Sequence, residues 1–239
     1  MAFLNLSRKV GGHELYVATL PLMTSNMFLL CGSGRALLID PSESAETEHL
    51  LEERGITDLT ALLTHEHFDH ISGVNRCREW ADAQPRGTCM VYASRACAEM
   101  IPNPDKSLSR YFMSMFIGRT EEDRELAAQI FRTDYSCDAD VVFDGATELD
   151  WENLHLVLRE MPGHSPGSIC IEIWTDGTLA AVATGDSLVQ GNKVITRLPG
   201  GNKQDYREVT RPYLESIPGD TLILPGHGAV SLMKELELG

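Results

Sequence analysis

The chain has 239 residues, enough apolar material for one large or two small domains and well above the size at which disulfide or metal staples are needed to fold. With 43% hydrophobic and 23% charged residues, it has the composition of an ordinary globular protein rather than a disordered one. Its formal net charge of −15 repels phosphate backbones and anionic lipid, which argues against nucleic acid and membrane surfaces as partners.

The first elements are short β-rich runs. Glu14–Leu20, Asn26–Cys31 and Arg35–Ile39 read as strands, the last two joined across Gly32-Ser33-Gly34 as a hairpin that feeds Asp40. Arg8 and Lys9, before them, lead into Gly11-Gly12-His13-Glu14 rather than an apolar run, so no targeting segment is expected. Ser42–Arg54 has a capping serine, early glutamates, Leu50 and Leu51 on one side and Gly55 behind it, the marks of a helix with its C-cap. A strand over Leu59–Thr64 follows, then another over Thr88–Ala93. Between residues 94 and 140 the texture becomes helical. A stretch halted by Pro102 and Pro104 precedes the apolar cluster Tyr111–Ile117, and a capped helix is expected over Thr120–Phe131. Strands return at His155–Glu160, Ser168–Trp174, Leu179–Thr184 and Thr221–Leu224, with an amphipathic helix over Gln204–Ser216. No linker, repeat or low-complexity tract breaks the chain, so residues 1–239 are expected to form one domain with a helical insertion at about 94–140. The six cysteines (Cys31, Cys77, Cys89, Cys97, Cys137 and Cys170) lack the two-residue spacing of a zinc or redox motif and are expected as reduced thiols of a cytoplasmic protein. No run reaches the ~18 apolar residues that a membrane span needs.

The strongest local signal is Thr64-His65-Glu66-His67-Phe68-Asp69-His70, directly after an apolar strand. Histidines at i and i+2 of an extended segment share a side, so His65 and His67 can bind one ion while Asp69 and His70 on the next turn reach a second. Of the eight histidines in the chain, three fall in this loop, which sets it apart from a polar loop whose imidazoles merely hydrogen-bond. Imidazole and carboxylate together suit zinc, iron or manganese. His13, His49 and His155 read as surface or packing residues.

The loop resembles the HxHxDH motif of the metallo-β-lactamase superfamily, and the rest of the chain carries the expected sequel in order. Pro162-Gly163-His164-Ser165-Pro166-Gly167, Thr184-Gly185-Asp186-Ser187 and Leu224-Pro225-Gly226-His227-Gly228 each follow a predicted strand. The resemblance implies an α+β fold, a four-layer αβ/βα sandwich of two mixed β-sheets flanked by helices. It implies two divalent metal ions, zinc first with iron or manganese as alternatives. One would be held by His65, His67 and His164 and the other by Asp69, His70 and His227, with Asp186 bridging and Asp69 and Asp186 in catalytic roles. A two-metal hydrolytic site activates a shared water near neutral pH. Aspartate rather than cysteine at 186 is similar to the glyoxalase II-like (hydroxyacylglutathione hydrolase-like) branch, which implies hydrolysis of a thioester or related ester by a metal-bridging hydroxide.

Two departures from that branch weigh against a glutathione ester as the expected substrate. Val194-Ile195-Thr196-Arg197 stands where compact relatives carry Gly-Arg-Thr-Asp, and the chain ends twelve residues after His227, without the helical extension that grips glutathione in larger enzymes. Five cations, Lys193, Arg197, Lys203, Arg207 and Arg211, face two carboxylates between Gln190 and Arg211. They read first as a solvated helix face, and second as a patch, led by Lys193 and Arg197, for an anionic arm of glutathione, coenzyme A or a carrier protein. The cluster with Tyr111, Phe112, Met115 and Phe116 reads first as core packing or a homodimer contact and second as a lid over an acyl group. The alternatives are a lactonase, which Ser187-Leu188-Val189 disfavours for want of a tyrosine, and a persulfide dioxygenase-like oxidoreductase with one iron, for which His70 and His227 would be dispensable. A metal-bearing binding module without turnover is the weakest reading, because all seven ligands are present.

Overall fold

A computed structural model describes residues 4–191 and 193–238. Thirteen strands form two sheets. The first runs in chain order: β1 (Leu4–Val10), β2 (His13–Thr19), β3 (Asn26–Cys31), β4 (Arg35–Ile39), β5 (Asp58–Leu62), β6 (Thr88–Ser94) and β7 (Val141–Phe143). Its first four strands pair antiparallel and its last four parallel. The second has the spatial order β13 (Ser231–Leu232), β12 (Leu222–Pro225), β11 (Thr178–Gly185), β10 (Ile169–Thr175), β9 (Leu154–Glu160) and β8 (Ala146–Trp151). It is antiparallel except where β11 meets β12.

Alternation along the strands sorts the buried apolar side chains into layers. Phe28 and Leu30 of β3, Leu37 and Ile39 of β4, Leu156 and Leu158 of β9 and Ile171 and Ile173 of β10 meet between the sheets in one core. The residues next to them point outward. Met27, Leu29 and Leu38 pack against Leu51 of helix α1 (Ala45–Glu53). On the far side, Cys170, Val182 and Ile223 pack against Leu214 and Ile217 of the 203–217 segment. The result is helix, sheet, sheet, helix: two mixed β-sheets flanked by helices, because strands buried on both faces need a cover on each outer side. Among the described residues, no helix is long and apolar enough to cross a membrane.

Most expected elements fall within two residues of their places, and the departures have physical reasons. Helix α1 begins at Ala45 because Ser44, rather than an earlier residue, turns its hydroxyl to the Thr47 amide at 3.3 Å. Helices α2 (Phe68–Ile71) and α3 (Val74–Asp82) have no side-chain cap to announce them. Strand β8 is an edge strand with Ala146, Glu148 and Asp150 exposed, so its pattern is weak, and β7 is only three residues long. In the 94–140 region, α4 (Arg95–Met100), α5 (Ser109–Phe112), a 3₁₀ turn (Met113–Phe116) and α6 (Glu121–Ile130) cover the outer face of the first sheet. Thr120 caps α6 by accepting from the Asp123 amide at 3.1 Å. The expected 204–216 helix is a continuous run of α7 (Lys203–Asp205), a π-helical turn (Tyr206–Thr210) and α8 (Arg211–Ser216).

Candidate metal centre

The centre lies where the two sheets meet at their strand ends. Beyond β5 the chain leaves the sheet at Leu63, and backbone bonds stitch the flanking loops together. The Ile169 amide donates to the Thr64 carbonyl at 2.7 Å, the Gly226 amide to the Gly185 carbonyl at 2.9 Å and the Asn26 amide to the Gly226 carbonyl at 2.7 Å. The loops after β5, β9, β11 and β12 therefore deliver His65 to His70, His164, Asp186 and His227 to one place. The structure brings together all seven of the side chains that the sequence singles out.

They form two groups. His65, His67 and His164 offer nitrogens within 4.8 Å of one another, and so do the donors of Asp69, His70 and His227. His164 Nε2 is 3.0 Å from His67 Nδ1. Asp186 stands between the groups, with Oδ2 3.5 Å from His164 Nε2 and 3.4 Å from His227 Nε2, and Oδ1 3.3 Å from His70 Nε2. Asp69 Oδ2 lies 3.5 Å from His227 Nε2 and 3.6 Å from His70 Nε2.

The tautomers follow from residues behind the ligands. Thr64 has one hydroxyl proton and donates it to Asp40 Oδ2 at 2.6 Å, so at its 3.1 Å contact with His65 Nδ1 it accepts. His70 Nδ1 donates to the same Asp40 oxygen at 2.9 Å, and His164 Nδ1 donates to the Ile195 carbonyl at 2.8 Å. Each of these rings thereby has its Nδ1 engaged and leaves Nε2 to face the centre. His65 Nε2 is buried without a hydrogen-bond partner, and His70 Nε2 and Asp186 Oδ1, also buried, face each other at 3.3 Å. Leaving such atoms unmatched costs about 1–3 kcal/mol each, and a set of imidazoles and carboxylates is what divalent transition metals bind. The residues present fit two metal ions. A third grouping, Asp40 with His65 and His70, is a support, because both Asp40 oxygens already accept hydrogen bonds.

Charge divides the two groups. Burial holds His65, His67 and His164 below the usual imidazole range, His67 at about 3. Burial also pulls on His70, but Asp69, Asp186 and Asp40 outweigh it and raise that ring well above its ordinary value. His227 is raised in the same way, against burial, by its hydrogen bond with Asp186. Burial opposes ionisation of Asp186 too, yet His70 and His227 hold it well below the carboxylate range. A metal at the His65/His67/His164 group thus meets neutral rings, whereas one at Asp69/His70/His227 must displace protons. Affinity at the second group is expected to fall up to about tenfold per pH unit per displaced proton as pH drops below the raised values. Equilibrium dialysis at pH 8 and pH 6 should show the second equivalent lost first; loss of both in parallel would contradict this division.

Several contributors are not ligands themselves. Asp40 sits at the end of β4 with a left-handed φ of 53°, and its Oδ1 also accepts from the Thr64 amide at 2.7 Å. Asn26 donates to the Pro225 and Gly228 carbonyls at 3.0 and 2.8 Å, fixing the loop that bears His227. Buried Glu66 accepts from the Ser165 hydroxyl at 2.9 Å and ties the 65–70 loop to His164; burial pushes its carboxyl up to about 7. Gly226 is required by space: a Cβ there would strike Asp186 Oδ1 and lie 3.0 Å from His70 Cε1. Gly226→Ala is therefore expected to displace Asp186 and lower bound metal about 10- to 100-fold in affinity, as read by competition with a chromophoric chelator.

The expected substrate-binding residues separate. Tyr111, Phe112, Met115 and Lys193 line a cavity of about 790 Å³ that opens onto the centre. Phe116 does not line it: it is buried and stacks on Phe131 at 5.3 Å, and Phe112 packs in the same core. Arg197 is exposed and also absent from the lining. The expectation of a cavity role is corrected for Phe116, whose four-residue spacing from Phe112 turns it into the core, while Arg197 lies on the surface outside the cavity lining. His13, His49 and His155 lie outside the centre, His13 edge-on to Trp151 and His155 against Asp150. The six cysteines are all free.

Comparison with known proteins places this geometry. The family model described as the metallo-beta-lactamase superfamily matches residues 20–88, which include the 65–70 loop. A probable metallo-hydrolase, YqgX of Bacillus subtilis, is 32% identical over 85% of this chain and 85% of its own. A hydroxyacylglutathione hydrolase of Cereibacter sphaeroides is 28% identical over 89% of this chain and 66% of its own length. Among solved structures, TTHA1623 in a di-iron-bound form superposes with a TM-score of 0.66 at 24% identity, over 91% of this chain and 94% of that one.

Proposed function

Because this chain belongs to the metallo-β-lactamase superfamily and is a metal-dependent hydrolase, we propose that it uses two metal ions to hydrolyse a thioester or related ester. The observation that carries the reading is the Asp186 carboxylate, which faces His164 of one ligand group and His70 and His227 of the other within 3.5 Å. His65, His67 and His164 would hold one ion, Asp69, His70 and His227 the second, and Asp186 both. Bound there, the ions would supply Lewis acidity toward a carbonyl oxygen and an acidified water. The donor chemistry admits zinc, iron or manganese, and the di-iron form of the similar structure adds weight to iron.

The chain's own part is positioning. Asp40, through Thr64 and His70, fixes the ring orientations. Asp69, which lines the cavity, is placed to take the proton released when water attacks. The cavity wall holds the acyl group and keeps bulk water away. The thioester class is supported by aspartate at 186 and by the likeness to a hydroxyacylglutathione hydrolase. Val189 on the cavity wall, in the segment after Asp186, offers a lactone no tyrosine hydroxyl.

The deciding experiment is metal analysis of the purified chain, then a panel of thioesters, lactones, a β-lactam and a persulfide. Two metal equivalents with thiol release, abolished by chelation and restored by metal, are expected. One iron with oxygen consumption on persulfide, or turnover confined to lactones or β-lactams, would overturn the reading.

A further inference from the structure

The segment before the cavity carries two apolar stripes, and only one of them is used by the core. Phe112 and Phe116, four residues apart, turn inward onto Phe131. Tyr111 and Met115, also four apart, stay 52% and 49% exposed and line the cavity, together with one edge residue of the first stripe, Phe112. Across from them Ile195 is 49% exposed on the same cavity. Met23, Leu108 and Leu198 complete an apolar wall that runs to the metal ligands.

This wall is mostly apolar, and the protons of its two hydroxyls are already committed, leaving them as acceptors only. Ser114 donates its hydroxyl proton to the Tyr111 carbonyl at 2.6 Å, and the Tyr111 hydroxyl donates to Asp105 Oδ1 at 3.1 Å. Among the described lining residues outside the metal ligands, Lys193 is the one charged side chain. A volume of about 790 Å³ lies in the upper part of the range for small-molecule sites, far more than a short hydroxyacyl group fills. A hydroxyl buried against such a wall would lose its hydrogen bonds to water without replacement, whereas methylenes gain on burial.

We infer that the substrate carries an extended apolar acyl group, seated against Tyr111, Met115, Leu108 and Leu198, rather than a small hydroxyacyl group. The inference rests on the hydrolase reading and names its substrate class. In the reaction, water's oxygen bonds to the acyl carbon and the C–S bond breaks. The carboxylic acid forms, and the departing thiolate takes up the remaining proton to leave as the thiol.

The test is a series of N-acetylcysteamine thioesters on the metal-loaded protein: acetyl, butyryl, hexanoyl, octanoyl and lactoyl. kcat/KM is expected to rise roughly two- to fourfold per added methylene up to octanoyl, with lactoyl below butyryl. Met115→Glu, a half-exposed position that tolerates charge, is expected to cut the octanoyl-to-acetyl ratio about tenfold or more. A flat series, or a preference for lactoyl, overturns the inference and leaves the hydrolase reading standing. If no thioester is turned over, the thioester reading fails, and calorimetry with octanoate and acetate decides the pocket separately. Octanoate is then expected to bind at least about 30-fold tighter, and equal affinities overturn the inference.

Discussion

Asp186→Asn is expected to lower kcat/KM by roughly 10²- to 10³-fold or more, and bound metal with it, while the circular dichroism spectrum stays that of the parent. The substitution keeps the shape of the side chain and removes its charge. That charge faces His164 on one side and His70 and His227 on the other. An amide cannot serve both groups, since only its carbonyl oxygen has lone pairs to offer a metal ion and its NH₂ end has none. Losing the shared carboxylate weakens the hold on both ions, whose Lewis acidity is worth several kcal/mol of transition-state stabilisation, at about 1.4 kcal/mol per decade. His227→Ala is the informative comparison, because His227 belongs to one group only and should cost mainly one metal equivalent. Unchanged turnover and metal content in Asp186→Asn, measured by steady-state kinetics and elemental analysis, would remove the basis for a two-metal mechanism.

The frame of this site is unusually readable because each ligand closes a strand. His65, His164, Asp186 and His227 all lie within five residues of the end of an apolar run, and strand ends recur at one edge of a layered sheet. What could not be read from the chain was the support behind the ligands. Asp40 is a lone aspartate after Ile39, and only its left-handed backbone and its bonds to Thr64 and His70 reveal a purpose. Long-range partners such as Asn26 with Pro225, 199 residues apart, leave no periodic trace. The apolar 111–117 cluster shows a different limit. Helical spacing identifies a stripe but not its direction, so Phe116 and Met115 look equivalent until the fold turns one into the core and the other onto the cavity. Helix α3 escaped because Gly73 precedes it without a capping side chain, although Val74, Cys77, Trp80 and Ala81 do form its buried side.

The support behind the ligands is testable at Asp40. Asp40→Ala is expected to weaken metal binding about 10- to 100-fold, the usual effect of losing an outer partner of a ligating histidine. It should also lower the unfolding free energy by several kcal/mol. Three donors would lose their acceptor in a buried site: the Thr64 amide, the Thr64 hydroxyl and His70 Nδ1, at about 1–3 kcal/mol each. Backbone strain is a separable contribution, because Asp40 holds φ at 53°, where a side chain costs about 1–3 kcal/mol and glycine costs little. Asp40→Gly removes the same hydrogen bonds but relieves that strain. The glycine variant should therefore recover about 1 kcal/mol or more of stability over the alanine variant and bind metal no better. Urea unfolding of the metal-free forms measures the first quantity, and chelator competition the second. If glycine restored metal affinity, backbone geometry would be Asp40's contribution; if both variants bound metal as the parent does, the hydrogen bonds to Thr64 and His70 would have no role in holding the ligands.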